Sequence, residues 1–269
     1  MVLFVTDDTS RKIADVMWDG AREFPNRSLV MMSDRSMHGE EPPLSVSGAM
    51  TKADVIFGVT KFSLFHTNAR REAIKNGARF ANMADYSLDM FESGGLFVDF
   101  IEQGKLCDRL SDVLEGKVAH VTTKAGTDIK FSVEGRSALR QYGHSLNPGA
   151  SSSPPDIKTA LGPIEGTAEG KVVINGCIPH PALGVLSAPI TLILEAGRIV
   201  AINGNNEADI LRSTLADMMD DCVYSIAEMG IGLNNNATLR NRMLEDEGVM
   251  GTMHFGFGSN ISFGGTTWN

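Results

Sequence analysis

The sequence has few of the features that announce a compartment or a common chemistry. Only three cysteines occur in 269 residues, Cys107, Cys177 and Cys222, and no Cys-x-x-Cys pairs them. That argues against a disulfide framework and leaves reduced, mostly buried thiols in a cytoplasmic protein. No apolar run reaches the length of a membrane-spanning helix, and the first residues lack the basic-then-apolar pattern of a secretory signal. Positive charge is in deficit: 24 Lys and Arg against 33 Asp and Glu give a formal charge of −9 and a pI near 5.2. A surface of that balance disfavours nucleic acid and anionic membranes. No Gly-x-Gly-x-x-Gly follows the first strand-like run and no P-loop occurs, so nucleotide binding has little support. A Gly-x-Ser-x-Gly elbow and a His-Glu-x-x-His pair are also missing, which argues against a serine hydrolase and a helix-borne zinc protease.

What is present is an ordinary globular composition, 42% hydrophobic and 21% charged, with enough chain for one large domain or two ordinary ones. Up to about residue 115, strand-like runs (2–5, 28–32, 54–59, 79–83) alternate with helical periodicity. Ile13, Val16, Met17 and Ala21 mark the first helix; others are expected around 46–53, over 63–76 and from 88 to 114. This alternation predicts an α/β N-terminal domain, a parallel sheet with helices on both faces, over residues 1–115. Ligands in such sheets gather at the carboxyl ends of strands, which marks Asp7, His38 and Thr60. From residue 116 the texture changes. Hairpins are expected at 118–133 and 190–202, with an amphipathic helix at 207–221. The long Gly/Ser/Pro loop at 143–156 is too long for a plain connection. These features predict an α+β, strand-rich C-terminal domain over 116–269.

Near the end of that second domain, residues 226–258 read as two short buried strands. Glu228 stands in Ile-Ala-Glu-Met-Gly-Ile-Gly and His254 in Gly-Thr-Met-His-Phe-Gly-Phe-Gly. A buried carboxylate needs a partner, and a metal ion shared with His254 would supply one. Each residue could equally be a buried polar group bonded to its neighbours, and Glu245-Asp246-Glu247 between them could be a solvated turn. Two ligands do not close a catalytic site, which ordinarily takes three or more. His180, fixed between two prolines, and His66, near a helix start, are further candidates for a catalytic role. His120 reads as a structural strand residue, and His144 opens the long loop.

Six segments carry a resemblance: HGEEPP (38–43), TKFSLFHTNARREA (60–73), PPDIKTALGPIEGTAEG (154–170), INGCIPHPALG (174–184), EMGIGLNNNATL (228–239) and LEDEGVMGTMHFGFG (244–258). In this order they resemble the aminopeptidase T-type metallopeptidases and the related 2,5-dihydroxypyridine dioxygenases, over essentially the whole chain. The resemblance implies that Glu228 occupies a metal-ligand position, Glu in the peptidases and His in the dioxygenases. It implies the same of His254, as in the peptidases. A further ligand pair, His-x-Asp, would fall beyond Asn269, and the chain is expected to be short at one or both ends. A peptidase Glu ahead of the GPIEG-like segment is matched by Lys158, with Asp156 two residues earlier. The peptidases' tyrosine has no match, Ile261 and Phe263 standing there.

The first expectation is a metal-dependent hydrolase, metal-activated water attacking a peptide or amide bond, with Zn or Co held by Glu228 and His254. The alternative is an Fe(II)-dependent ring-cleaving dioxygenase; a second is a truncated, catalytically incomplete member of the family. The resemblance further implies a small-molecule or peptide substrate and a homo-oligomer.

Overall fold

A computed structural model describes residues 1–267. Trp268 and Asn269 lie outside the described residues. In chain order the first elements are β1 (Val2–Asp7), α1 (Arg11–Gly20), β2 (Arg27–Met32), α2 (Leu44–Met50), β3 (Val55–Val59), α3 (Asn68–Lys75) and β4 (Arg79–Asn82). Then come α4 (Phe100–Leu114), β5 (Val118–Thr122), β6 (Asp128–Ser132), β7 (Leu139–Gln141), β8 (Ser151–Ser152), β9 (Lys158–Leu161) and β10 (Glu169–Ile174). The chain continues through β11 (Cys177–Ile178), β12 (Gly184–Val185), β13 (Ile190–Glu195), β14 (Arg198–Asn203), α5 (Asn206–Asp217), β15 (Ile226–Gly232), α6 (Met243–Asp246) and β16 (Met253–Phe257).

These elements fall into two compact units. The first comprises Met1–Ile101 and Gln141–Asp156. Its sheet is all parallel, in the order β2-β1-β3-β4-β8, as the alternating pattern predicts. Leu3, Val5, Ile56 and Phe80 from the strands pack with Met50 and Leu64 in its core. The carboxyl-end residues marked in the sequence are engaged in local bonds. Asp7 is buried, its carboxylate accepting from the Ser10 amide at 2.9 Å and the Lys61 amide at 2.6 Å. His38 accepts from the Ser63 amide through Nδ1 at 3.0 Å, and the Thr60 hydroxyl donates to the Phe62 carbonyl at 2.7 Å.

The second unit comprises Glu102–Arg140 and Ile157–Asn269, of which residues to 267 are described. Its two sheets run β14-β13-β10-β6-β5 and β16-β15-β9-β7. Both contribute to one apolar core: Ile129, Phe131, Val172, Leu192 and Leu194 from the first sheet, Leu161, Ile226 and Met229 from the second.

The single boundary expected near residue 115 is replaced by three chain crossings. Residues 141–156, placed by sequence in the second domain, complete the first unit's sheet. Phe80 donates its amide to the Ala150 carbonyl at 3.0 Å, and the Asn82 amide group donates to the Ser153 hydroxyl at 3.2 Å. Most of α4 goes the other way, because its buried face bonds β9. Cys107 Sγ donates to the Lys158 carbonyl at 3.5 Å, and Thr159 Oγ1 donates to the Cys107 carbonyl at 3.2 Å.

Helix starts also differ from expectation. The helical run expected over 88–114 is broken into two 3-10 turns, Leu88–Phe91 and Gly95–Phe97, before α4 begins. Gly94, at φ +99°, takes a backbone conformation that ends a right-handed helix. Helix α3 starts at Asn68 rather than near 63, since Thr67 caps it by accepting from the Arg70 amide at 3.2 Å. Among the described residues no helix is long and apolar enough to cross a membrane.

Candidate metal centre

Strands β15 and β16 pair antiparallel, placing Glu228 opposite Gly256 and His254 opposite Gly230. Side chains alternate along a strand, so positions 228, 230 and 232 share a face. A register shift between Ile226 and Glu228 breaks the alternation once. It lets both Ile226 and Met229 enter the core while Glu228 points away from it. A glycine stands opposite each ionisable residue, and the spacing is tight. A Cβ on Gly230 would lie 2.1 Å from Cε1 of His254, and one on Gly256 would lie 3.1 Å from Cβ of Glu228. The imidazole therefore lies flat over the bare backbone of Gly230, which brings Nε2 to 3.3 Å from Oε1 of Glu228.

Two more ionisable side chains complete the arrangement. Lys158, opposite Gly232 at the start of β9, brings Nζ to 3.5 Å from that same Oε1. The ammonium also donates to Oε2 of Glu247. All four side chains are largely buried, Lys158 most of all at 8% exposure. Burial alone would raise the Glu228 carboxyl, but the Lys158 charge and the contact with His254 outweigh it and hold the group at about 2. Glu228 is thus an anion at neutral pH. A cavity of about 630 Å³ opens beside it, walled by Glu228, His254, Glu247, Ile178, Phe255 and Phe257 among others.

The donor chemistry suits a divalent ion in kind. One carboxylate and one imidazole are two of the three donors of a non-haem iron site. Nδ1 of His254 is buried without a hydrogen-bond partner, so the ring is not tied down by a bond on its far side. Among the described residues no third His, Cys, Asp or Glu joins the pair in a metal-holding group. Any further donor would have to come from outside these side chains.

The remaining sequence candidates separate from this centre. His180 turns onto its own loop, Nδ1 accepting from the Ala182 amide at 3.2 Å. His66 belongs to the first unit, its ring edge-on to Phe65, with Thr67 rather than His66 capping α3. His120 is an exposed strand residue facing Asp128 at 2.8 Å, and His144 stacks on Tyr142. The Glu245-Asp246-Glu247 run is no solvated turn. Glu245 is fully buried, accepting from the Thr238 amide at 3.1 Å, and Asp246 accepts from the Arg240 amide at 2.8 Å. Glu247 is placed against Lys158, Nζ donating to its Oε2. Sequence reading missed Lys158 and Glu247 as members of the centre. The available signal was one lysine inside the otherwise uncharged run Ile157-Lys-Thr-Ala-Leu161.

Comparison with known proteins is consistent with this architecture. Residues 24–265 match the family described as "NicX: 2,5-dihydroxypyridine 5,6-dioxygenase". A 2,5-dihydroxypyridine 5,6-dioxygenase of Pseudomonas putida KT2440 is 30% identical over 161 residues. That match covers 56% of this chain and 46% of the relative, so it spans about half of the relative's length. Among solved structures, the 2,5-dihydroxypyridine dioxygenase of Pseudomonas putida KT2440 superposes with a TM-score of 0.81 at 21% identity, over 99% of this chain and 83% of the other. AmpT from Thermus thermophilus superposes with a TM-score of 0.62 at 13% identity, over 96% and 80%. At these identities the two superpositions speak to fold alone.

Proposed function

The chain belongs to the NicX family of 2,5-dihydroxypyridine 5,6-dioxygenases, and from that premise we propose that it serves the oxygen-dependent opening of a dihydroxylated pyridine ring. The observation that carries this reading is the family match along residues 24–265. It favours the dioxygenase alternative over the hydrolase, the first expectation from sequence. The likeness to AmpT is one of fold, at 13% identity.

In this reading Glu228 and His254 are the residues of this chain that would hold the metal. When bound, Fe(II) supplies the one-electron chemistry by which dioxygen reacts with a closed-shell ring. Glu228 contributes a charge already ionised at working pH, because Lys158 and His254 stabilise the anion. Gly230 orients His254 by admitting its ring over the strand. The apolar side chains of Ile178, Phe255 and Phe257 give the cavity walls that suit a flat ring and exclude water from it. The reading retains a small-molecule substrate and proposes a homo-oligomer, which light scattering would measure.

Oxygen uptake tests the activity directly. Purified protein supplied with Fe(II) is expected to consume dioxygen in proportion to added 2,5-dihydroxypyridine, with loss of the pyridine's ultraviolet absorbance. Release of leucine from a leucyl anilide without oxygen uptake would restore the hydrolase. Blank results in both assays would leave the catalytically incomplete reading.

A further inference from the structure

We propose that the ammonium of Lys158 is a built-in counter-ion in the cation position of this centre, so that a divalent ion binds Glu228 only by displacing it. The inference rests on the reading of Glu228 and His254 as the metal-holding pair. It goes further by assigning a competitor, and so a control on metal affinity, to a residue of the chain itself.

Three observations carry it. First, Oε1 of Glu228 is the oxygen that faces both Nε2 of His254 and Nζ of Lys158, at 3.3 and 3.5 Å. A metal shared by the carboxylate and the imidazole would need that oxygen, and the ammonium is already against it. Second, Lys158 lies in a buried strand: Ile157, Thr159, Ala160 and Leu161 are all inside. An ammonium so placed is tolerable only with anionic partners, and Glu228 and Glu247 supply them. Third, Glu247 offers a place to retreat. It already accepts from Nζ, so Lys158 can give up Glu228 while keeping one carboxylate. Two cations cannot share Oε1 at this range, because repulsion between a divalent ion and an ammonium a few ångströms apart is strong in a partly desolvated site. Binding of the ion and movement of the ammonium are therefore coupled.

Cobalt(II) titration of the full chain, followed by calorimetry and by visible absorption, tests this without reference to turnover. The proteins compared are the wild type, Lys158→Met, the double variant Lys158→Met/Glu247→Gln, and Glu228→Gln. The double variant keeps the net charge of the wild type, and it carries the test if the single variant, with Glu247 deprived of the ammonium and Glu228 left with His254, fails to fold. Removal of the ammonium is expected to tighten cobalt binding roughly tenfold or more in both Lys158 variants, while Glu228→Gln weakens it. If the wild type binds as tightly as the double variant while Glu228→Gln loses the ion, the metal-centre reading stands and the role of Lys158 is wrong. If Glu228→Gln binds like the wild type, or no protein binds cobalt at millimolar concentration, the centre itself is misplaced and the inference falls with it.

Discussion

Two glycines decide where the imidazole of His254 can go. Gly230 leaves bare backbone beneath the ring, and Gly256 leaves room for the Glu228 stem. A methyl group at 230 would overlap the ring, so the imidazole must swing off the strand and the contact with Glu228 must open. Gly230→Ala is therefore expected to destabilise the fold by about 1–3 kcal/mol, as overpacking of a filled site does. Urea unfolding measures the loss, and a midpoint equal to that of the wild type would show that the ring has another resting place. At this scale the sequence was informative for two of the four ionisable groups. Glu228 and His254 stand out because each interrupts an apolar, Gly-rich strand, and their strands are neighbours in sequence. Lys158 and Glu247 are 89 residues apart and meet through the pairing of β9 with β15 and the bond from the Asn234 amide to the Gly248 carbonyl that brings the segment after α6 back to the end of β15. No local pattern encodes that register.

At the scale of elements, the segment after β16 is held by one carboxylate. Glu165 Oε1 accepts from the Asn260 side chain at 2.8 Å and from the Thr266 amide at 2.7 Å, while Arg136 donates to Oε2 at 2.7 Å. Burial would raise its pKa, but these donors and the Arg136 charge outweigh burial and lower it from its ordinary 4.5 to about 2. A carboxyl depressed in the folded state contributes stability that is complete above its unfolded value and disappears as pH falls through the folded one. The stability advantage of the wild type over Glu165→Gln is thus expected to be constant near neutrality and to shrink between about 4.5 and 2. Thermal melts of both proteins across that window check it; a difference independent of pH would place the contribution of Glu165 elsewhere than in its charge. Long periodic elements such as α1, α5 and the two hairpins were readable from pattern. The two-residue strands β8, β11 and β12 were not, since strands so short have no periodicity to read.

At the scale of the whole chain, the two compact units exchange segments, so a cut near residue 115 leaves neither of them whole. A fragment 1–115 would lack β8, leaving the backbone of β4 unpaired on one side, and would carry α4 without the β9 groups that bond it. The complement, 116–269, would lack α4. Both fragments expressed alone are expected to be insoluble, or soluble without near-ultraviolet circular dichroism. Two well-folded fragments would show instead that each half holds enough core without the exchanged segments.

The interleaved path of the chain also orders events during synthesis. A ribosome releases β1 to β4 well before it releases Ser151 and Ser152, and translation of the intervening stretch takes on the order of ten seconds. Through that interval the nascent sheet has one edge, along β4, with nothing to pair against. The time during which this protein is open to wrong strand partners is set by the length of the excursion from residue 83 to residue 150. Slow decoding anywhere along that excursion prolongs it.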